Sequence, residues 1–465
     1  MTQVSPLIAR AAAEFEVRNP FSGALVGKLP ETPEPEILAT VLRARRAAAA
    51  FRNSTPHERR VLLERLAALV ENEREPLAQI ICGEMGKTIA EARNEARRAV
   101  NTLRLSGEAV AFLDGEVLSC AVLEGGVNRQ AVISYVPTGV VAAITPFNYP
   151  LNLLCHKLGP AIAAGNAVVV KPSPKAPFAA QRLVEMTEAA GFPRDLVQIV
   201  HGGAAAATAL ARAPIDLLSF TGGPNAGLAL KRASGLVRCL MELGGNDPLF
   251  VMPDADLAAA AETAIGHRYE IAGQSCAAVK KLYVHHAIRA EFTETLLERV
   301  SRHRWGDPAA DETQMGPVID APAAAEIMAR LSEATQLGAR ILVGGQREGN
   351  LIAPTVVEDV PLDARLIAEE TFGPVLAIRP FEQLETAMAE VNASDYGLQA
   401  GIFTNDHAAI RMLSRGLQVG GVMVNEGPDF RAEHVPFGGI KRSGLGREGV
   451  RIALREMSET RVVID

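Results

Sequence analysis

From Gly139 onward the chain alternates short, wholly apolar runs with helix-forming stretches, and few architectures satisfy that pattern. The runs 140–144, 167–170, 196–200 and 217–220 are nearly continuous apolar stretches rather than alternating ones, so each must be buried on both faces. Segments between them, such as 176–190, have helical composition. Doubly buried strands joined by helices make a parallel sheet covered on each side. Ligands of such sheets bind beyond the carboxyl ends of the strands. Those ends read Thr145-Pro146-Phe147-Asn148, Lys171-Pro172-Ser173, Gly202-Gly203 and Thr221-Gly222-Gly223. The last is not GxGxxG, but it opens a helix, where glycines let a pyrophosphate approach the backbone.

A second alternating block follows Glu242, with strands expected near 248–251, 281–284, 340–343, 375–381 and 401–403, and helices near 257–269, 289–303 and 322–337. The 465 residues exceed what one hydrophobic core supports, since single cores stop growing near ~250–300 residues. Two large α/β domains are therefore expected. Before them, apolar residues at helical spacing predict helices over 34–51, 56–82 and 88–112. The third carries Arg97, Arg98 and Arg104, read as surface charges of which one could face a cleft. Two extended runs around Gly125-Gly126 form a hairpin, and 460–465 is a further β-branched strand. These could pair with each other or with strands of another subunit.

Composition narrows the function. A formal charge of −7 without a basic stripe argues against a nucleic-acid partner. No run reaches the ~18 apolar residues of a membrane span, and Met1 to Ala13 lack the charged and apolar regions of a leader. A soluble, cytoplasmic enzyme without membrane contact is expected. The five cysteines are scattered, with no CxxC and no Cys/His ligand spacing, so neither disulfides nor a metal is expected.

Cys276, in Gly273-Gln274-Ser275-Cys276, taken alone reads first as a small buried hydrophobe. Its company reverses that. With Thr145-Pro146-Phe147-Asn148-Tyr149-Pro150, Lys171-Pro172-Ser173, Phe220-Thr221-Gly222-Gly223, Glu242-Leu243-Gly244-Gly245, Glu369-Glu370-Thr371-Phe372-Gly373-Pro374 and Pro436-Phe437-Gly438-Gly439, the chain resembles the aldehyde dehydrogenase superfamily over nearly its whole length. The resemblance implies an α/β fold. It comprises a Rossmann-like cofactor domain (1–115 and 138–244), an α/β catalytic domain (245–442), and a small β oligomerisation arm (116–137 and 443–465) closing a homodimer or homotetramer.

It also implies roles. A thiolate at Cys276 would add to an aldehyde, with the oxyanion held by the Asn148 amide and the Cys276 backbone N–H. Hydride would pass to NAD or NADP, and Glu242 would serve as general base for thioester hydrolysis. Members that pass the acyl group to coenzyme A generally lack this base, so a carboxylate product is expected. Glu448 matches a proton-relaying glutamate, although an ordinary helix-start carboxylate reads equally well. The cofactor would meet Ile144, Thr145, Pro146, Phe147, Lys171, Ser173, Gly202, Phe220, Thr221, Gly222, Gly223, Leu243, Gly244, Glu370 and Phe372.

Two departures bear on specificity. NAD-preferring members commonly place a glutamate three residues after the lysine, whereas here Pro174 is followed by Lys175. The main electrostatic barrier to a 2′-phosphate is then missing, so NADP is expected to be accepted or preferred. Gly223 stands where many members have serine, leaving the pyrophosphate to backbone groups. For the aldehyde, His156, Ser275, Ala277 and Arg431 are the candidate contacts, and two polar groups converging would favour a small hydroxylated or anionic substrate. Rival readings are a cysteine-dependent esterase or thiol hydrolase, and a catalytically inactive binding member of the same family.

Overall fold

The computed structural model describes residues 13–465. Residues 1–12, the stretch read for a leader and the start of the first cofactor segment, lie outside the described residues. The chain opens with a hairpin, β1 (Glu14–Arg18) and β2 (Leu25–Pro30), and continues into α1 (Glu34–Phe51). The helix expected over 56–82 is two, α2 (Pro56–Asn72) and α3 (Arg74–Met85), because Glu73 leaves helical geometry at φ −107° and ψ 21°. A capping box starts α2: Thr55 accepts from the Glu58 N–H, and Glu58 accepts from the Thr55 N–H. The same device, with Thr88 and Glu91, starts α4 (Ile89–Ala109).

β3 (Glu116–Ser119) and β4 (Gln130–Pro137) form the expected hairpin, and strand Ser458–Ile464 pairs antiparallel with β4 in this same chain. Among the two partners considered from sequence, the intrachain one is realised. Val117, Val462, Val463 and Ile464 of this three-stranded sheet are each more than half exposed. Residues 443–457, which the sequence placed with the arm, belong elsewhere. Strand Gly444–Leu445 pairs with Glu242 and Met241, and helix Val450–Glu456 buries Val450, Ala453 and Leu454. Val450, Leu454 and Met457 lie in the first core. The amphipathic pattern of that helix fits a core equally well, and the short strand before it had no legible periodicity.

The first sheet contains β5 (Val140–Ile144), β6 (Ala167–Lys171), β7 (Val197–Ile199), β8 (Leu217–Thr221) and β9 (Arg238–Glu242), parallel throughout. Its spatial order is 444–445, β9, β8, β5, β6, β7. The chain therefore runs outward from β5 one way and restarts at β8 on the other side, leaving a crevice at the β5/β8 switch point. Between these strands lie α5 (Asn152–Ala163), α6 (Phe178–Ala189), α7 (Ala204–Arg212) and α8 (Pro224–Ser234). All residues of α5 are buried, as its apolar composition requires.

The second sheet is built on β10 (Pro248–Val251) and β11 (Lys281–His285), with α9 (Leu257–Tyr269) between them. Its order is 340–343, 355–358, 375–381, β11, β10, 399–403, 421–424, and only 340–343 runs antiparallel. Its core is separate from the first, gathering Val251, Leu282, Phe292, Leu296, Val356 and Leu376 among others. Among the described residues no helix is long and apolar enough to cross a membrane, and no His/Cys/Asp/Glu cluster suits a metal ion.

Candidate active site

A cleft of about 560 Å³ runs from the carboxyl ends of β5, β6, β8 and β9 to the loop before β11. Ile144, Thr145, Pro146, Phe147, Lys171, Ser173, Phe220, Thr221, Gly222, Gly223, Leu243, Gly244, Glu370 and Phe372 all line it, as do Asn148, Glu242, Ser275, Cys276, Arg431 and Glu448. Gly202 does not face it; its carbonyl accepts from Lys171 Nζ at 2.7 Å, and Gly203 continues the wall.

Two sequence candidates for aldehyde contact lie behind the wall. His156 is fully buried with Nε2 2.6 Å from Glu433 Oε2. Ala277 is fully buried, packed with Leu398 and Phe437. Neither lines the cleft. An inward-facing position on a wholly buried helix, or directly after a cleft residue, does not distinguish the wall from what supports it.

The loop that carries Cys276 has an unusual course. After α9, Ile271 and Ala272 adopt φ of 53° and 52°, and Gly273 follows at 72°. A β-branched residue in the left-handed region is a strained choice that its surroundings must enforce. They do so: Glu91 Oε1 accepts from the Ile271 N–H at 2.8 Å, and Gln274 Oε1 accepts from the Ile319 N–H at 2.9 Å. A Cβ on Gly273 would lie 2.4 Å from the Gly373 carbonyl oxygen, so only glycine fits. Beyond the loop, Lys280 Nζ donates to the carbonyls of Ser275 and Cys276 at 3.0 and 2.6 Å. The result presents a half-buried Cys276 to the cleft. Burial, then the nearby Asp429, pushes its thiol well above the usual range.

Asn148 Nδ2 donates one hydrogen to the Gln274 carbonyl at 2.8 Å, which fixes the amide and leaves its second hydrogen available. Glu242 ends β9, held by backbone pairing with Gly444. Its Oε2 is buried without a partner, and burial followed by repulsion from Glu448 raises its carboxyl well above the ordinary value. Glu448 goes the other way. Burial alone would raise it, but Lys157 Nζ at 2.7 Å and Arg431 at 2.9 Å outweigh burial and hold it ionised. Lys157 also donates to Thr221 Oγ1 at 2.7 Å. Two carboxylates pushed apart in this way can divide proton-accepting and charge-holding roles.

The dinucleotide side fits a nicotinamide cofactor. Gly223 caps α8 with open space where a Cβ would stand, and a Cβ on Gly244 would lie 2.0 Å from Glu370 Oε2. Thr145 Oγ1 is buried with no partner, and Phe147 meets Phe372 edge to face at 6.0 Å. Lys171 is buried, which lowers its ammonium to about 8. Pro174 lines the cleft, whereas Lys175 is exposed and paired with Asp320 at 2.6 Å.

Several lining or supporting residues were not assigned to the site from sequence, although Arg98 was among three arginines of which one could face a cleft. Arg98 is the arginine of its helix that faces the cleft, and its Nε donates to Glu433 Oε1 at 2.7 Å. Tyr149 and Asp429 also line the cleft. Lys157 and Glu433 had a detectable signal: His156-Lys157 is an ionisable pair inside Leu153-Leu154-Cys155 and Leu158, which demands buried partners.

The chain matches the model of the aldehyde dehydrogenase family over residues 8–463. It is 40% identical over 460 residues to aspartate-semialdehyde dehydrogenase 1 of Pseudomonas canavaninivorans, covering 98% of this chain and 97% of that one. It is 38% identical to the sulfoacetaldehyde dehydrogenase of Neptuniibacter caesariensis, covering 97% and 99%. Among solved structures, the NADP-dependent glyceraldehyde-3-phosphate dehydrogenase of Bacillus halodurans complexed with NADP superposes with a TM-score of 0.95 at 34% identity, covering 97% of this chain and 95% of that one. The chain belongs to the aldehyde dehydrogenase family and is an NAD(P)-dependent oxidoreductase of the aldehyde dehydrogenase fold.

The Arg98–Glu433–His156 cluster has a stability consequence. Burial would raise Glu433, but His156 and Arg98 hold its carboxyl far below the usual range. His156 is itself lowered by burial and then by Arg431, and its Nδ1 is buried without a partner. A neutral ring donating through Nε2 satisfies both facts, leaving Arg98 as the counter-charge. Because the folded carboxyl is depressed, its stabilisation is complete above the unfolded value near pH ~4.3 and fades as pH falls toward the folded value. Glu433→Gln is therefore expected to lose about 2–4 kcal/mol at neutral pH. The gap to the parent should narrow below pH ~4, as read by urea denaturation across pH.

Proposed function

We propose that this aldehyde dehydrogenase oxidises a small polar or anionic aldehyde to its carboxylate through covalent intermediates on Cys276. The observation that carries this reading is the convergence of Cys276, Asn148 and Glu242 with two arginines, Arg98 and Arg431, on one cleft. Relatives named for sulfoacetaldehyde and aspartate semialdehyde, both bearing an anionic group, support the substrate class.

In this mechanism the Cys276 sulfur adds to the aldehyde carbon, and its proton leaves toward Glu242, whose unpartnered Oε2 is a free acceptor. The free hydrogen of Asn148 Nδ2 and the Cys276 N–H stabilise the oxyanion. One such donor is worth about 3–4 kcal/mol in the transition state. A bound NAD or NADP supplies the acceptor for the hydride, which leaves a thioester on Cys276. Glu242 then takes a proton from water attacking that thioester, and the carboxylate departs as the thiol reforms. A base whose affinity for protons is raised toward working pH suits this step. Lys157, Thr221 and Glu448 form a buried hydrogen-bonded network lining the same cleft as Glu242, which would take up and return its protons.

Glu242 favours hydrolysis over acyl transfer to coenzyme A. The esterase rival lacks support in a histidine near the thiol, since His156 is committed to Glu433. The exposed apolar strip of the three-stranded arm supports a homodimer or homotetramer, and a cytoplasmic setting agrees with the free cysteines. For the cofactor, Pro174 leaves no anion against a 2′-phosphate, and Lys175, paired with Asp320, adds at most modest attraction.

A panel of small aldehydes mixed with either cofactor should yield reduced nicotinamide that disappears in Cys276→Ala; ester cleavage without cofactor, or silence, would overturn the reading. Glu242→Gln should accumulate acyl-enzyme, showing a single-turnover burst, and should remove an ascending pH limb centred above the usual glutamate range. Arg431→Ala should raise KM for an anionic aldehyde far more than for a neutral one, and equal effects would sink the anion reading. NADP should be used, and an NAD preference of roughly a hundredfold in kcat/KM, or ~2.7 kcal/mol, would refute its acceptance.

A further inference from the structure

Lys280 is buried just before β11, and carbonyl oxygens rather than carboxylates hold its ammonium. Nζ donates to the carbonyls of Ser275, Cys276 and Ala278 at 3.0, 2.6 and 3.5 Å, whereas its one ion pair among the described residues, to Glu370 Oε1, is longer at 3.6 Å. Confining an ammonium in a dry interior is costly, and a neutral donor would meet a carbonyl without that cost. The place where the charge falls is informative. Ser275 O and the Cys276 N–H belong to one peptide unit, which is planar and trans, so its carbonyl and its N–H point in opposite directions. With Lys280 on the carbonyl side, the N–H is turned away from Lys280, and it donates to no acceptor among the described residues. The following carbonyl is held as closely. A Cβ on Gly245 would lie 2.5 Å from Cys276 O, so only glycine lets the backbone approach it.

We propose that Lys280 is the positioning residue of the oxyanion site: its ammonium, bound to the Ser275 carbonyl, sets the direction of the Cys276 N–H and strengthens it as a donor to the oxygen of the aldehyde adduct. This rests on the aldehyde-oxidation reading above and extends it to a residue that does not itself line the cleft. A cation on a carbonyl draws electron density from the amide nitrogen, and hydrogen bonds joined in series strengthen one another by ~10–30% each. Charge-assisted bonds are also the shorter and stronger ones, so the peptide is oriented before any substrate arrives. The same charge acts on the sulfur. Burial raises the Cys276 thiol and Asp429 raises it further, while Lys280 pulls it down. Glu370 lies on the other side of the ammonium, where its Oε1 accepts from the Gly245 N–H at 3.2 Å, and it lines the cofactor half of the cleft. A lysine that served only to neutralise Glu370 would act on cofactor binding instead, and the two roles separate by experiment.

A ketone with no hydride to give isolates the oxyanion step. The carbonyl carbon of 1,1,1-trifluoropropan-2-one bears no hydrogen, so the Cys276 sulfur adds to it, the carbonyl electron pair moves to oxygen, the thiol proton leaves, and the adduct stops there without cofactor. Lys280→Met, which fills the space without a charge, should bind this ketone about ten- to a hundredfold more weakly than the parent, less than the ~10²–10³ that follows loss of a whole oxyanion donor. The pH at which the adduct oxygen ionises, followed by the fluorine resonance of the trifluoromethyl group, should rise. With an aldehyde, kcat should fall by a similar factor while KM changes far less. Weakened NADP binding with the ketone affinity and the fluorine titration unchanged would reduce Lys280 to the counter-charge of Glu370 and overturn the proposal. Should Lys280→Met not fold, Lys280→Gln, whose amide keeps one bond to the carbonyl but no charge, is expected to show the same losses in smaller measure, and parent-like ketone affinity there also overturns it. A protein that oxidises no aldehyde, yet loses ketone affinity and shows the shifted fluorine titration in Lys280→Met, would defeat the oxidation reading and leave this role of Lys280 standing.

Discussion

Two neighbouring residues on one buried helix hold this site together. His156 and Lys157 of α5 reach Glu433 and Glu448, which lie almost three hundred positions later in the chain. An ionised group in an apolar interior is tolerated only when it is paired and hydrogen-bonded. That requirement binds the late segment, with Arg431, Phe437 and Glu448, over the crevice formed by β5 and β8. Arg98 joins from α4 and Arg431 stacks on Phe437 with its guanidinium 4.3 Å from the ring centre. Losing one partner strands a charge in a place where water cannot relieve it, so the geometry of the substrate pocket and the integrity of the first core are not separable.

The same economy governs the reactive groups. Burial disfavours the charged forms of both Cys276 and Glu242 and raises their affinity for protons. Glu448, a few ångströms of network away, stays ionised because Lys157 and Arg431 outweigh its burial. Burial of this kind slows oxidation and stray alkylation of a cysteine, since only the thiolate reacts quickly.

Much of this was legible in the sequence. The apolar runs from 140 to 220 became β5, β6, β7 and β8 as periodicity required, and the loops at their ends face the cleft. The capping residues Thr55 and Thr88 marked helix starts, but the break at Glu73 did not show, because Asn72 and Glu73 are neither glycine nor proline. β9 went unnoticed because Arg238 and Cys239 dilute its apolar character. Three-dimensional partners were the larger gap. Arg98 looked like its neighbours Arg97 and Arg104, and only the packing of α4 against α5 turns it toward Glu433. His156 and Ala277 were assigned to the pocket for their position in the chain, and they form its backing instead.

The dependence of the first domain on the end of the chain also sets an order of events during synthesis. Glu242 and its sheet neighbours leave the ribosome some two hundred residues before Glu448, and at ~5–20 residues per second that interval lasts roughly 10–40 seconds. Throughout it, β9 has an unpaired edge, Lys157 has no carboxylate, and the places of Val450 and Leu454 in the core stand open. The nascent chain must therefore wait in a partly formed state with an exposed strand edge, the kind of surface that chaperones bind. The enzyme becomes competent only when the helix at 450–456 closes the domain that the first half of the chain began.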